Sequence, residues 1–172
     1  EGLRLITAKN VKEGYFQKDP EEFVDPSIYD EWMTRGSKIK GDVLFTTEAP
    51  LANVAQLETD EKVVFAQRII VLHPQPDKLT QNFLKYLLLS KPIRQRILDN
   101  GTGATVRGIK SRLLKKIEIY FPKIISDQHA ITKRLDDLFG ARKKLETIYH
   151  IKLDSLKELK KSILQKAFRG EF

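Results

Sequence analysis

Residues 127–168 read DQHAITKRLDDLFGARKKLETIYHIKLDSLKELKKSILQKAF. No proline interrupts them, and glycine occurs among them only at Gly140. Apolar residues recur at Ile131, Leu135, Leu138, Leu145, Tyr149, Leu156, Leu159 and Ile163, in steps of three, four and seven. Such spacing is a seven-residue repeat, the pattern of a helix that packs along another helix. The two skipped positions of this seam carry Arg142 and Lys152, while Ile148, Leu153 and Leu164 widen the stripe. A helix of this span is about 63 Å long at ~1.5 Å per residue, more than the diameter of a domain of about 120 residues. It therefore needs a partner helix, in cis or in trans, along part of its length. A shorter helix, broken at Gly140 and folded back on its own domain, is the alternative.

Upstream of this segment the pattern is different. Leu3–Ile6 reads as a strand. Residues 10–40 are rich in charge and turn formers, with Asp19-Pro20, Asp25-Pro26 and Gly36 as breakers. Gly41-Asp42 then leads into a strand at Val43–Thr47, and Ala52–Leu57 and Lys62–Leu72 read as two more, the latter on its β-branched bulk. At Asp77–Leu89 the period changes: Phe83, Leu84, Leu87 and Leu88 share a helical face, with Asp77 or Thr80 available as cap. Pro92 opens a second short helix, Ile93–Leu98, which Asn100-Gly101 ends. Ile117–Phe121 alternates and reads as a last strand before Pro122. The fold class is thus α+β: a mixed, mostly β domain with short helices, followed by one long C-terminal helix of coiled-coil type. The boundary is placed between 1–124 and 125–172.

The net charge of +8 is unevenly distributed. Residues 85–123 hold ten Lys and Arg against two acids, whereas residues 1–84 hold more acids than bases. A block this undiluted suits a polyanion, although a solvated basic face is the plainer reading. Absence of cysteine excludes disulfides, thiol catalysis and cysteine-based zinc sites, and is compatible with a reducing compartment. No apolar run approaches the ~20 residues a membrane span needs. The opening Glu1-Gly2-Leu3-Arg4 is neither a signal peptide nor an initiator methionine, so the chain reads as beginning inside a longer parent.

Catalytic constellations are scarce. His73, His129 and His150 are too far apart for a paired metal motif, and each reads as exposed or structural. Gly101-Thr102-Gly103-Ala104-Thr105-Val106-Arg107-Gly108 is glycine-rich. It lacks both the Gly-Lys-Ser/Thr ending of a P-loop and the third glycine of a dinucleotide loop. Neither a Pro-Asp…acid-x-Lys nuclease pattern nor the Asn-Pro-Pro-aromatic segment of an amino-methyltransferase is present. What the loop does offer is phosphate contact: Thr102 and Thr105 with Arg107, Lys110 and Arg112 combine hydroxyls, approachable backbone and cations. Between two predicted strands, Thr46, Thr47, Glu48 and Asn53 supply groups that can read base edges, or that merely cap a turn. Lys9, Asn10, Lys38 and Lys40 form a further polar candidate set.

Certain of these stretches resemble a known family. Gly41-Asp42-Val43-Leu44-Phe45-Thr46-Thr47-Glu48-Ala49-Pro50-Leu51, Phe65-Ala66-Gln67-Arg68 and Gly103-Ala104-Thr105-Val106-Arg107-Gly108-Ile109 resemble the target recognition domain of a type I restriction-modification specificity subunit. The tail from Leu156 to Phe172 resembles the helical spacer that ends such subunits. Ala52 stands where the family usually has Gly. A single Pro122, followed by Ser126-Asp127-Gln128, replaces the usual two prolines and Glu-Gln, and the family's N-terminal lead-in is missing before Glu1.

The resemblance implies a non-catalytic, cytoplasmic DNA-binding component. One recognition domain reads one half of a split double-stranded sequence. The spacer pairs antiparallel with another, sets the distance between the halves, and docks methyltransferase subunits and through them the restriction subunit. S-adenosylmethionine, ATP and magnesium belong to those partners, with no cofactor or metal bound by this chain. A full subunit carries two recognition domains and two spacers. The single pair here fits the distal half of a longer subunit, a half-sized subunit that pairs with a second copy, or a fragment. The competing readings are a non-catalytic protein-interaction module with an incidental basic surface, a small methyltransferase fragment, and an RNA binder.

Overall fold

The computed structural model describes residues 2–33 and 38–170. Gly36, Glu171 and Phe172 lie outside the described residues. The chain divides into two units, Glu1–Thr132 and Lys133–Phe172. It is a mixed α+β protein with two small sheets and a long C-terminal helix.

Two three-stranded sheets organise the first unit. In one, β1 (Leu3–Ile6) pairs antiparallel with β2 (Glu22–Val24) and parallel with β5 (Val63–Phe65). In the other, β3 (Val43–Thr46) is flanked antiparallel by β4 (Val54–Gln56) and β6 (Ile69–Leu72). Every residue of β3 is buried, because both of its faces are covered. Side chains alternate across a strand, so Val43 and Phe45 join one core with Phe83, Leu84, Leu88 and Ile97. Leu44 joins the other, with Ile6, Leu57, Val63 and Ile69. β3 is thus the partition between two hydrophobic cores.

A short helix, α1 (Tyr29–Trp32), follows a 3₁₀ turn at Pro26–Ile28. Asp25 caps that turn, its carboxylate accepting from the Ser27 N–H at 2.8 Å, and hydrogen bonding from the Ser27 side chain, then from its N–H, holds the Asp25 pKa below the ordinary value. Neither β2 nor α1 is apparent in the turn-rich sequence of 10–40. Thr80, not Asp77, caps α2 (Gln81–Leu89), accepting from the Phe83 N–H at 3.2 Å. Pro92 lies in the first turn of α3 (Lys91–Asp99), where a missing N–H costs nothing. A one-turn helix, α4 (Ser111–Leu114), comes next.

Two sequence expectations are corrected. The run 62–72 is not one strand: β5 and β6 belong to different sheets, and the chain turns at 66–69, with Ile69 N–H donating to Ala66 O at 3.1 Å. Ile117–Phe121 forms no strand. Its alternation is present, with Ile117, Ile119 and Phe121 packed on the first core while Glu118 and Tyr120 are exposed, but no neighbouring strand completes a ladder. The Glu118 carbonyl accepts instead from Arg96 Nη1 at 3.1 Å.

The last helix, α5 (Ile125–Phe168), runs 44 residues without a break at Gly140 and is about 66 Å long at ~1.5 Å per residue. Its first turns belong to the first unit, where Gln128 is fully buried. Gln128 accepts from the Thr80 N–H at 2.9 Å and donates to Lys78 O at 2.8 Å and Pro122 O at 2.7 Å. Three backbone groups share this one buried amide. Gln128→Ala is expected to destabilise the unit by about 2 kcal/mol or more, since three hydrogen bonds worth ~0.5–1.5 kcal/mol each are lost. A urea titration with an unaltered midpoint would contradict this role.

Candidate nucleic-acid interface

Three segments meet beyond the C-terminal end of β3. The first is the turn 47–53, the second the β5–β6 turn at 66–68, and the third the loop 101–110 between α3 and α4. The third is a small closed structure. Thr102 and Gly108 exchange backbone hydrogen bonds of 2.8 and 2.9 Å. Gly103 sits at φ +117°, where a side chain would meet Val106 O at 2.2 Å, so the tight reversal requires glycine. Buried Ile109 anchors the loop in the core, and its N–H donates to Thr47 O at 2.9 Å. Glu48 and Gly108 form an antiparallel bridge, and a Cβ on Gly108 would lie 3.2 Å from that of Glu48.

This closeness joins two candidate sets that are 60 positions apart in the chain, Glu48 and Gly108 being in contact. Thr102, Thr105, Arg107, Lys110 and Arg112 are all exposed around the loop. Among the described residues, no carboxylate forms a salt bridge with Arg107, Lys110 or Arg112. Thr47 is half-buried; its N–H and hydroxyl both donate to Arg68 O, at 2.9 and 3.2 Å. Glu48 is half-buried and holds Arg68 Nε at 2.8 Å.

Arg68 is a member of the cluster that residue chemistry alone did not single out. It sits in the Phe65-Ala66-Gln67-Arg68 stretch, and the polar Gln67-Arg68 pair inside an apolar run was the available signal. A guanidinium preset by a carboxylate and still half-exposed can face either a phosphate or a base edge.

Other candidates are spent inside the fold. Thr46 is fully buried; its hydroxyl donates to Pro50 O at 2.6 Å and accepts from the Asn53 N–H at 3.0 Å. It closes the 47–53 turn and cannot reach a base. Asn53 is half-buried and donates through Nδ2 to Val11 O at 2.9 Å. Asn10 is buried, accepting from Thr7 and donating to the carbonyls of Gln17, Lys18 and Pro20. These three residues are structural, because their polar atoms satisfy local backbone that would otherwise be buried unpaired. Within the same turn Ala52 is buried at φ +66°, a left-handed conformation that costs a side-chain-bearing residue about 1 kcal/mol. Glycine at this position would relieve that strain.

Lys38 and Lys40 are not brought to this cluster's loops, whereas Lys9 follows β1, whose Ile6 O accepts from the Ala66 N–H of the β5–β6 turn at 2.9 Å. Lys9 pairs with Glu22 at 3.1 Å and Lys40 with Asp60 at 3.2 Å. Lys38 donates to Glu61 O, and burial lowers its pKa against the raising influence of Asp60 and Glu61. Lys38 and Lys40 precede β3, so a strand of four residues separates them from the turn that follows it. They line a concavity with Tyr29, Asp60 and Lys62, whose Nζ lies 3.9 Å from the Tyr29 ring centre.

His73 Nδ1 lies 2.6 Å from Oδ1 of the fully buried Asp42, while His129 and His150 are exposed on α5. Among the described residues no three His, Asp or Glu converge on a metal-sized site, and no helix is long and apolar enough to cross a membrane.

The model for the type I restriction modification DNA specificity domain matches residues 36–160, most of the chain. The chain belongs to that family. The specificity-domain relatives include the type I restriction enzyme EcoBI specificity subunit of Escherichia coli, 27% identical over 173 residues. The alignment covers 99% of this chain and 36% of that subunit. A protein solved in work on complex assembly and conformational transition of the type I R-M system superposes over the whole chain, with a TM-score of 0.73 at 22% identity. The HsdS subunit from Thermoanaerobacter tengcongensis superposes over 84% of the chain, with a TM-score of 0.62 at 15% identity. These two share the fold. The chain spans 40% of the first solved protein and 37% of the second, so it corresponds to well under half of each relative.

The exposed seam of α5 is the second surface of interest. Leu138, Leu145, Tyr149, Leu156 and Leu159 are each more than half exposed, Ile131 and Ile163 nearly so, and Leu135 is half-buried. Soluble proteins rarely leave so long an apolar row in water.

Proposed function

We propose that the unit 1–132 recognises one half of a split double-stranded DNA sequence on behalf of a type I restriction-modification complex, and that it performs no chemistry itself. The observation that carries this is the docking of the 102–108 loop on Thr47-Glu48, which places unpaired cations beside groups able to read bases. Arg107, Lys110 and Arg112, with Thr102 and Thr105, hold phosphates, which fixes register without sequence information. Thr47, Glu48 and Arg68 provide discrimination. Glu48 can accept from a cytosine amino group and Arg68 can donate to guanine.

The seam Ile131, Leu135, Leu138, Leu145, Tyr149, Leu156, Leu159 and Ile163 pairs with another helix. In this reading α5 sets the distance between half-sites and docks methyltransferase subunits, which recruit the restriction subunit. S-adenosylmethionine, ATP and magnesium act in those partners, and the assembly works in the cytoplasm.

Selection of bound duplexes from a random pool tests the reading head. Glu48→Ala is expected to relax preference at one base pair by roughly 5- to 150-fold, the worth of a good base contact of ~1–3 kcal/mol. Preference that survives intact in Thr47→Val, Glu48→Ala and Arg68→Ala would remove this turn from the recognition surface.

A further inference from the structure

The ion pair between Glu48 and Arg68 limits what either residue can bind, because each presents only the edge that the other leaves free. Resting on the proposal that this turn reads DNA, we infer that the two side chains act as one unit on a single G·C base pair in the major groove, Arg68 on the guanine and Glu48 on the cytosine.

Donor and acceptor order carries the inference. Arg68 Nε lies 2.8 Å from Glu48 Oε1, and both side chains are open to solvent. Among the described residues neither side chain makes another hydrogen bond or ion pair. The pairing uses Nε and one carboxylate oxygen. It leaves the two terminal nitrogens of the guanidinium, both donors, and Oε2, an acceptor. A Cβ on Gly108 would come within 3.3 Å of Oε2, so glycine there leaves that oxygen uncovered. The unit therefore offers two donors beside one acceptor. A G·C pair shows the complement across the major groove: N7 and O6 of guanine accept, and the cytosine amino group donates. An A·T pair alternates acceptor, donor, acceptor there, and fails at the second and third places. In the minor groove the carboxylate finds a donor only at the guanine amino group, which sits between acceptors and not beside two of them.

A phosphate is the poorer partner. The pair carries no net charge, and its carboxylate repels an approaching phosphate oxygen. Neutralising charge is supplied beside it by Arg107, Lys110 and Arg112, which are exposed and have no carboxylate partners among the described residues. The backbone of the pair is tied down on both sides. Arg68 O accepts from the N–H and hydroxyl of Thr47 at 2.9 and 3.2 Å, Glu48 bridges Gly108, and the Ile109 N–H donates to Thr47 O at 2.9 Å. Presetting the two long side chains in this way lowers the ordering cost of binding. An ion pair this exposed adds little to folding, so Glu48→Ala and Arg68→Ala should each melt within about 5 °C of the parent.

Selection from random duplexes, run with the full 172-residue chain and with each alanine variant, locates the position that the pair reads. Both variants are expected to relax the same position, and the parent is expected to require G·C there. Duplexes carrying 7-deazaguanine at that position lack the N7 acceptor, and those carrying N4-methylcytosine lose the amino hydrogen that faces the major groove. In fluorescence anisotropy each modification should weaken the parent roughly fivefold or more, the lower end of a good base contact. The first should leave Arg68→Ala binding unchanged, and the second should leave Glu48→Ala binding unchanged. Since the modified duplexes test the unaltered protein, the result does not depend on either variant folding. Variants that keep the parent's preference everywhere or relax two different positions, an A·T pair at the shared position, or a parent indifferent to either modified base would overturn the inference and leave base reading by this unit intact. A parent chain that retains every duplex alike, or none, would instead refute the reading on which the inference rests, and the inference with it.

Discussion

Replacing Arg107, Lys110 and Arg112 together with alanine is expected to weaken binding to every duplex by about two orders of magnitude at ~0.1 M salt, without changing which sequence is preferred. The three cations surround the 102–108 hairpin, are exposed, and have no carboxylate partners among the described residues. Their charge is therefore available to a phosphate rather than committed internally. Each neutralised phosphate contributes ~0.9 to the slope of log affinity against log salt. If about six phosphates are contacted, the slope falls from about −5 to about −3 in the triple variant. The loop itself should survive, because its closure rests on Thr102, Gly103, Gly108 and Ile109. Fluorescence anisotropy across a salt series measures both quantities. An unchanged slope would dissociate these cations from the DNA surface. A loss confined to one sequence would make them base readers.

Asp42→Ala carries the largest expected effect on stability. Asp42 is fully buried at the entrance to β3. Its carboxylate accepts from the Ile39 N–H at 2.8 Å and from Gln81 Nε2 at 3.1 Å, and lies 2.6 Å from His73 Nδ1. Removing it leaves the Ile39 N–H and the Gln81 amide of α2 facing a void, while His73, about half exposed, can turn to water. Orphaning such donors costs about 1–3 kcal/mol each. For a unit of this size that corresponds to a fall in Tm of roughly 10 °C or more. Asp42→Asn keeps the shape and an acceptor oxygen and should lose much less. A thermal melt in which the alanine variant stays within about 2 °C of the parent would mean that the pocket refills with water at little cost. Since β3 carries the Thr47-Glu48 turn at its other end, the same variant should weaken DNA binding in proportion to its unfolded fraction.

Features set by local periodicity were legible in the sequence. The seam of α5 repeats at seven residues over many turns, so one long helix follows from the pattern, and an isolated Gly140 is too weak a breaker to stop it. Strand β3 and the helices α2 and α3 were legible for the same reason. What the sequence could not display is partnership. The β-branched run 62–72 reads as one strand, because nothing local reveals that Val64 faces Leu5 while Val71 faces Leu44 in another sheet. Ile117–Phe121 alternates like a strand because half-burial alone produces alternation. Thr46 and Thr47 are adjacent and chemically equal, yet one is sealed inside a strand covered on both faces and the other stands at the mouth of the site. Asn10 and Asn53 looked like readers since an amide's partners lie far away in the chain or in backbone carbonyls. The contact between Glu48 and Gly108, which makes one surface of two loops, is likewise a tertiary fact.

A unit that senses the order of base pairs must retain some duplexes in preference to others. The most direct measurement equilibrates the whole chain with a pool of random-sequence duplexes at moderate salt and sequences the retained fraction against the input. Enrichment is expected at a short run of adjacent positions, weakened at one of them by Glu48→Ala. A retained fraction with the composition of the input, or no retention of duplex at all, would contradict it.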